Sequence, residues 1–215
     1  MKNRARAVAL TGLLLSLACV ATLHFVRTDL PPLSHRLSEY ANGPYGWVMA
    51  TSFVALGCAL AALAATWAGN SKEKNGWILP GTALLAAAGA VLSAVFETGG
   101  SAASESIHSR ASAFATIAIV ILALAYALPI ALPQRPIVSD PVGKGLAGVA
   151  VILVGISSML HETRWTGLGQ RALWLVLIVW LLRTTWQEPS RRPSGPQRRE
   201  SFTLRRSRPF SSTGG

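Results

Sequence analysis

The chain has 215 residues, of which 51% are hydrophobic and 13% are charged. Soluble domains contain about 25% charged residues, so this composition argues against a soluble protein. The mean hydropathy of +0.40 agrees and favours a polytopic membrane protein. The net charge of +11, from 20 basic and 9 acidic residues, would fit a nucleic-acid-binding protein unless the basic residues serve another purpose.

Six apolar stretches are each close to the roughly 20 residues that cross about 30 Å of hydrocarbon. They cover approximately residues 7–26, 47–68, 77–96, 111–132, 145–160 and 172–186, and the fifth is the weakest of them. Lipid offers no hydrogen-bond partner to the backbone, so each stretch is predicted to be a helix. Because the connecting segments are short, we expect an all-α, up-and-down bundle of six transmembrane helices built from three hairpins.

The first stretch follows Lys2, Arg4 and Arg6, and in this respect it resembles a signal peptide. Its apolar run continues past any plausible cleavage site, so we expect it to be retained as a helix. Residues 1–186 are predicted to form the transmembrane domain. Residues 187–215 are rich in Arg, Ser, Pro and Gly and are predicted to be a disordered tail.

The positions of the basic residues predict the orientation of the bundle. With the N-terminus inside, 15 of the 20 basic residues lie on the inner side and 5 lie on the outer side. We therefore expect a bacterial-type cytoplasmic (inner) membrane with both termini cytoplasmic. The tail arginines either bind anionic inner-leaflet lipids or act only as a topology anchor. Nucleic acid is disfavoured as a partner because the tail offers no folded platform for stacking.

Charged residues are absent from the interiors of the predicted spans. A retinal protein, a charge-relay proton pump and a transporter usually need such residues, and all three classes are therefore disfavoured. A transmembrane haem carrier is disfavoured too, because no histidine lies near the middle of a span. All four histidines map to the outer side, with His24 and His161 at helix ends and His35 and His108 in loops.

The second and third predicted helices each carry small residues at intervals of four. Gly57, Ala61 and Ala65 form one such row, and Ala86, Ala90 and Ala94 form the other. Small faces allow close approach in membranes, so the second and third helices are predicted to pack tightly.

A mixed polar set on the outer side is the candidate site, with Glu97, His108, Glu162 and Arg171 as its members. Imidazole and carboxylate groups could hold zinc or iron. Alternatively, His108 could be a general base oriented by a carboxylate, with Arg171 or Arg110 holding an anionic substrate. The structural alternative is a salt-bridge network that ties the loops over the bundle.

The outer segments resemble those of a prokaryotic membrane-protein family known as domain of unknown function 998. The resemblance is carried, over about residues 7–186, by Leu37-Ser-Glu-Tyr-Ala-Asn-Gly43 with Tyr45-Gly-Trp47, Phe96-Glu-Thr98, Ile107-His108 ahead of Ala111 and Ala113, and Gly167-Leu-Gly-Gln-Arg171. The family often has an aspartate shortly after the phenylalanine of the third helix, whereas here the nearby acid is Glu97. The resemblance implies a six-helix membrane protein and assigns no activity.

The resulting prediction is a polar pocket at the outer face that binds a small molecule or a lipid headgroup, or a role in a membrane assembly. Its lining is expected to include Ser38, Glu97, His108, Glu162, Gln170 and Arg171. The alternative is an intramembrane enzyme that acts on a lipid-linked or outer-face substrate. In that case His108 would be the base, with Glu97 and Glu162 beside it, and Arg171 would be the anion clamp. Any cofactor is unknown from the sequence.

Overall fold

The computed structural model describes residues 2–68, 76–96, 101–127, 140–161 and 163–187. Within these ranges the secondary structure is entirely helical. Six long helices are α1 (Lys2–Val26), α2 (Gly46–Ala68), α3 (Ile78–Val95), α4 (Ala102–Ala127), α5 (Pro141–Met159) and α6 (Thr166–Gln187), with a short 3-10 helix at Leu37–Ala41. Each long helix is apolar and long enough to cross a membrane, which confirms the predicted six-helix membrane fold.

Consecutive helices pack against each other around the bundle. The pairs α1–α2, α2–α3, α3–α4, α4–α5 and α5–α6 are all in contact, and α1 also contacts α6, so the ring is closed. α5 is the weakest of the predicted spans. In its most apolar 18-residue segment 17% of the residues are buried, compared with 56% in the corresponding segment of α2. The protein therefore has tightly packed helices on the α1–α4 side and a loosely packed fifth helix.

The fourth helix begins earlier than the sequence indicated. The apolar stretch was expected to start at residue 111, whereas α4 begins at Ala102. The Ser101 hydroxyl accepts a hydrogen bond from the Ser104 N–H, and Glu105 lies in the first turn, both of which favour a helix start. Placing His108 in a loop was therefore wrong: it is a helical residue, 1% exposed. Residues 128–132, expected at the other end of this span, lie outside the described ranges.

Glycines allow close contact at several helix interfaces. A Cβ at Gly57 would lie 2.7 Å from a Val91 methyl group, and one at Gly12 would lie 2.6 Å from the Ala55 carbonyl oxygen. A Cβ at Gly89 would lie 2.9 Å from that of Ala115. The predicted close approach of α2 and α3 is therefore present at Gly57, and similar contacts join α1 to α2 and α3 to α4.

Polar contacts hold the helices at two depths. Between α1 and α2, the buried hydroxyl groups of Ser16 and Ser52 are 2.8 Å apart. At the end of the bundle near the termini, Arg183 of α6 donates to both carboxylate oxygens of Asp140, which immediately precedes α5. This hydrogen bonding lowers the pKa of Asp140 below its usual value, so the ion pair links α5 to α6 at neutral pH.

We expect Gly89→Val to destabilise the bundle, because the added side chain would overlap Ala115 in the α3–α4 interface. Overpacking of this kind costs about 1–3 kcal/mol. Gly148→Val in α5 is the matched control, since a Cβ there meets nothing within 4 Å. Thermal unfolding of the purified variants should give a lower melting temperature for Gly89→Val than for the control. Equal melting temperatures would contradict close packing at Gly89.

Candidate functional site

The first loop, residues 27–45, crosses one end of the bundle, which we call the capped end. This end also contains the C-terminal ends of α3 and α5 and the first turns of α4 and α6. The 3-10 helix lies in the loop and buries Leu37 and Tyr40. Both pack into a small apolar cluster with α1 and α2, so the loop has an apolar attachment of its own.

Arg171 of α6 joins this loop to α1 and α6. Its Nη1 donates to the backbone oxygens of Pro32 and His35, at 2.7 and 2.6 Å. Its Nε donates to Nε2 of His24 at 2.8 Å, while Nδ1 of the same imidazole lies 2.7 Å from the Val20 oxygen. Since that carbonyl can only accept, Nδ1 of His24 carries the hydrogen and Nε2 is the acceptor.

The first turn of α6 makes further hydrogen bonds to the loop. The Leu33 carbonyl accepts from the N–H groups of Gly167 and Leu168, which would otherwise be unpaired at a helix start. The Gln170 side-chain oxygen accepts from the Leu37 N–H at 2.6 Å. A Cβ at Gly167 would collide with the backbone oxygens of Pro32 and His35. The loop is therefore fixed on α6 largely through backbone groups.

A second attachment lies at the beginning of the loop. Arg27 is 7% exposed and donates to both carboxylate oxygens of Asp29 and to the Asn42 carbonyl. The guanidinium lowers the pKa of Asp29 below its usual value. Beside it, Gly43 has a φ of 84°, a conformation that favours glycine. Together these contacts close residues 27–43 into a compact turn.

Beneath the loop lies an open cleft of about 300 Å³, which we call the polar cleft. It runs between α4 and α5 and reaches the first turn of α6 and the 3-10 helix. Its wall is rich in hydroxyl and amide groups, namely Ser38, Ser109, Ser112, Thr116, Ser157, Ser158, Thr166 and Gln170. Arg36, Glu105, His108 and His161 also line it. Its volume lies at the lower end of the range for small-molecule sites.

The polar cleft adjoins a smaller cavity among α2, α3, α4 and α6, which we call the inner pocket. This cavity has a volume of about 90 Å³ and is lined mostly by apolar side chains, including Met49, Phe53, Ile119, Leu177 and Leu181. Five residues line both spaces: Ser38, Ser112, Thr116, Gln170 and Leu173. A polar space near the capped end thus adjoins an apolar space inside the bundle.

His108 is a buried polar side chain in the wall of the polar cleft. Its Nδ1 lies 2.7 Å from the Phe96 carbonyl oxygen, so Nδ1 carries the hydrogen. Its ring meets Phe53 edge-on, with centroids 5.7 Å apart. Its Nε2 has no hydrogen-bond partner within the described residues. A buried nitrogen without a partner is costly, and a bound ligand is one way to satisfy it.

The predicted site residues fall into three groups. Ser38, His108 and Gln170 line the polar cleft. Arg171, by contrast, does not line either cavity, and its hydrogen bonds hold the first loop. Glu97 and Glu162 lie outside the described residues.

The cleft also contains hydroxyl residues that the sequence prediction did not single out. Ser112 and Thr116 are four residues apart on α4, and Ser157 and Ser158 lie near the end of α5. The sequence did contain a signal for these residues. Hydroxyl residues recur one turn apart on α4 and stand side by side near the end of α5. Among the described residues, no group of three His, Cys, Asp or Glu side chains is arranged to hold a metal ion.

Among known families, the profile described as Protein of unknown function (DUF998) matches residues 10–187. The matched range includes most of α1, the other five helices and the capped end. Neither the curated proteins nor the solved structures gave a match.

We expect Arg171→Lys to loosen the first loop, because an ammonium group cannot reproduce the fixed fork that reaches His24 and the loop carbonyls together. Backbone amide hydrogen exchange at Gly167 and Leu168 should become about tenfold faster, the equivalent of one hydrogen bond to a charged group. Arg110→Lys, at an exposed position on α4, is the control. Unchanged protection in Arg171→Lys would show that other contacts hold the loop.

Proposed function

Because the chain belongs to the DUF998 family of proteins of unknown function, its activity has to be inferred from its own residues, and we propose that it binds an amphipathic molecule. The polar part of this ligand would occupy the polar cleft, and its apolar part would enter the inner pocket. The lipid bilayer that surrounds a six-span protein is a ready source of such molecules.

The observation that carries this proposal is that the polar cleft and the inner pocket are adjacent and share part of their lining. Ser112, Thr116 and Gln170 line both, so a ligand crossing this boundary would pass from hydroxyl and amide groups to aliphatic ones. A purely polar ligand would leave the inner pocket unused, and a purely apolar ligand would leave the hydrogen-bonding groups of the cleft unpaired. An amphipathic molecule matches both environments.

Within this proposal the residues have different roles. Ser38, His108 and Gln170 would contact the polar part of the ligand. Arg171 would be a positioning residue, because it holds the first loop above the cleft. Glu97 and Glu162 remain candidates for the rim by their positions in the sequence, next to Phe96 and His161.

The second candidate is an intramembrane enzyme that acts on a lipid-linked substrate. It is favoured by one observation, the orientation of His108, whose Nδ1–H donates to Phe96 and whose Nε2 would accept a proton. The two functions are distinguished by recovering the ligand after incubation with the protein. A chemically unchanged ligand supports binding, and a converted ligand supports catalysis.

We expect the purified protein to carry about one amphipathic molecule per chain, identified by mass spectrometry of solvent extracts. Thr116→Phe should lower this amount about tenfold, because the ring would obstruct the boundary between the two cavities. Ile121→Phe is the matched control on the same helix, at a position that is 50% exposed. No amphipathic molecule above the background of empty membrane particles, or equal amounts in both variants, would overturn the proposal.

We further propose that both termini are cytoplasmic, which places the capped end on the outer side of a cell membrane. The support is the 15 to 5 distribution of basic residues, to which the seven arginines of residues 187–215 contribute. In this orientation the tail would lie beside the inner leaflet, where anionic lipids attract basic residues by about 1 kcal/mol each. Residues 1–186 would then be the membrane domain and residues 187–215 its cytoplasmic tail.

We expect single cysteines at Ser104 and Ser190 to react differently with a membrane-impermeant thiol reagent in intact cells. Ser104→Cys should be labelled, and Ser190→Cys should be labelled only after lysis. Both are made in a Cys19→Ser, Cys58→Ser background, because these are the two native cysteines. Labelling of Ser190→Cys in intact cells would reverse the assigned orientation.

A further inference from the structure

The hydrogen-bonding capacity of the polar cleft indicates what kind of headgroup it would accept. Several of its hydroxyl groups already donate within their own helices. Ser112 donates to the His108 carbonyl at 2.8 Å, and Thr116 donates to the Ser112 carbonyl at 2.9 Å. On α5, Ser158 donates to the Val154 carbonyl at 2.9 Å. A hydroxyl group has one hydrogen, so these three oxygens have only acceptor capacity left.

His108 adds a fourth acceptor. Its Nδ1–H is engaged with the Phe96 carbonyl, so the neutral ring offers only the lone pair of Nε2. Within the described residues that nitrogen has no partner. A ligand that satisfies it has to donate a hydrogen. Phosphodiester and quaternary ammonium groups have no hydrogen to donate and would leave it unsatisfied.

The cleft also contains donors and nearly balanced charge. Gln170 lines the cleft and uses its oxygen to accept from the Leu37 N–H, so its amide group keeps its N–H donors for a ligand. Among the described residues that line the cleft, Arg36 and Glu105 carry opposite formal charges, so with neutral histidines this lining sums to zero. This part of the wall therefore offers a strongly anionic or cationic headgroup no excess of opposite charge.

We propose that the cleft recognises a neutral headgroup with several hydroxyl groups, a glycerol or sugar type of headgroup, on a single apolar chain. A hydroxyl group both donates and accepts, so such a headgroup can donate to His108 Nε2 and to a helix hydroxyl while it accepts from Gln170. This inference rests on the proposed function, since it names the ligand class of the same cleft. It replaces an anion clamp as the basis of recognition, because Arg171 lines neither cavity and its Nε and Nη1 are bonded to His24 and the first loop.

The test uses ligands that share one chain and differ in the headgroup. Full-length protein in phosphatidylcholine nanodiscs is titrated with monodecanoylglycerol, decyl phosphate and decyltrimethylammonium, and with free glycerol as the headgroup without a chain. Native mass spectrometry counts the bound molecules, with empty nanodiscs as background. Hydroxyl-headed detergents are avoided during purification because they would compete for the site. We expect monodecanoylglycerol to bind at least tenfold more tightly than either charged ligand, and free glycerol not to bind.

Variants in the cleft identify the groups responsible. His108→Asn retains an amide N–H that can reach the Phe96 carbonyl but lacks an acceptor at the Nε2 position. It should weaken monodecanoylglycerol binding about tenfold, the equivalent of about one hydrogen bond. Ser112→Ala is the second, smaller change and should weaken binding in the same direction, which keeps the test valid if His108→Asn does not fold. Thr82→Val is the control, because Thr82 makes the same kind of bond to its own helix away from the cleft.

The outcomes separate the two proposals. Tighter binding of decyl phosphate or decyltrimethylammonium would overturn the hydroxyl headgroup while leaving an amphipathic ligand in place. Preferential monodecanoylglycerol binding that is unaffected by His108→Asn and Ser112→Ala would overturn the assignment of these acceptors. Binding of free glycerol as tight as that of monodecanoylglycerol would show that the chain, and with it the inner pocket, takes no part. If none of the three ligands that carry a decyl or decanoyl chain binds, both proposals are contradicted.

Discussion

A bilayer supplies no hydrogen-bond partner, and this constraint governs the whole structure. The backbone meets it by forming six long helices, and polar side chains meet it by bonding within or between them. Ser16 and Ser52 pair with each other, while Thr66 and Ser93 donate to carbonyls one turn back in their own helices. Polar atoms that are left over are therefore informative, because the protein has internal partners for most others. His108 Nε2 is such an atom, and it belongs to a residue that lines a cleft.

The same constraint explains the arrangement of the capped end. A loop of residues 27–45 contains many backbone polar groups, and close to a membrane these groups need partners. Arg171 supplies several donors in a fixed geometry, and Leu33 in turn accepts from the first N–H groups of α6. The first loop and α6 thus provide hydrogen-bond partners for each other. The cleft between α4 and α5 lies beside this attached loop, and Arg36 and Ser38 of the loop form part of its wall.

The sequence predicted the helices well because hydropathy is a strong signal over about 20 residues. The prediction was less accurate at the start of α4. There Ser104, Glu105 and Arg110 lower the hydropathy of turns that are nevertheless helical. Hydropathy reports the apolar part of a helix and not its extension beyond the hydrocarbon. His108 was selected for its chemistry, but its burial follows from this extension and from contact with Phe53, which no local pattern encodes.

The candidate site was predictable in its residue types more than in its geometry. Ser38, His108 and Gln170 lie in different segments, and their common lining of one cleft depends on how four elements pack. Arg171 was expected to face a ligand because its charge stands out in a sequence. Apart from His24 Nε2, its partners are backbone carbonyls, which every residue has and which therefore leave no trace in a sequence. A conspicuous charge near a membrane can thus be a structural group, while unremarkable serines on α4 and α5 define the chemical character of the cleft.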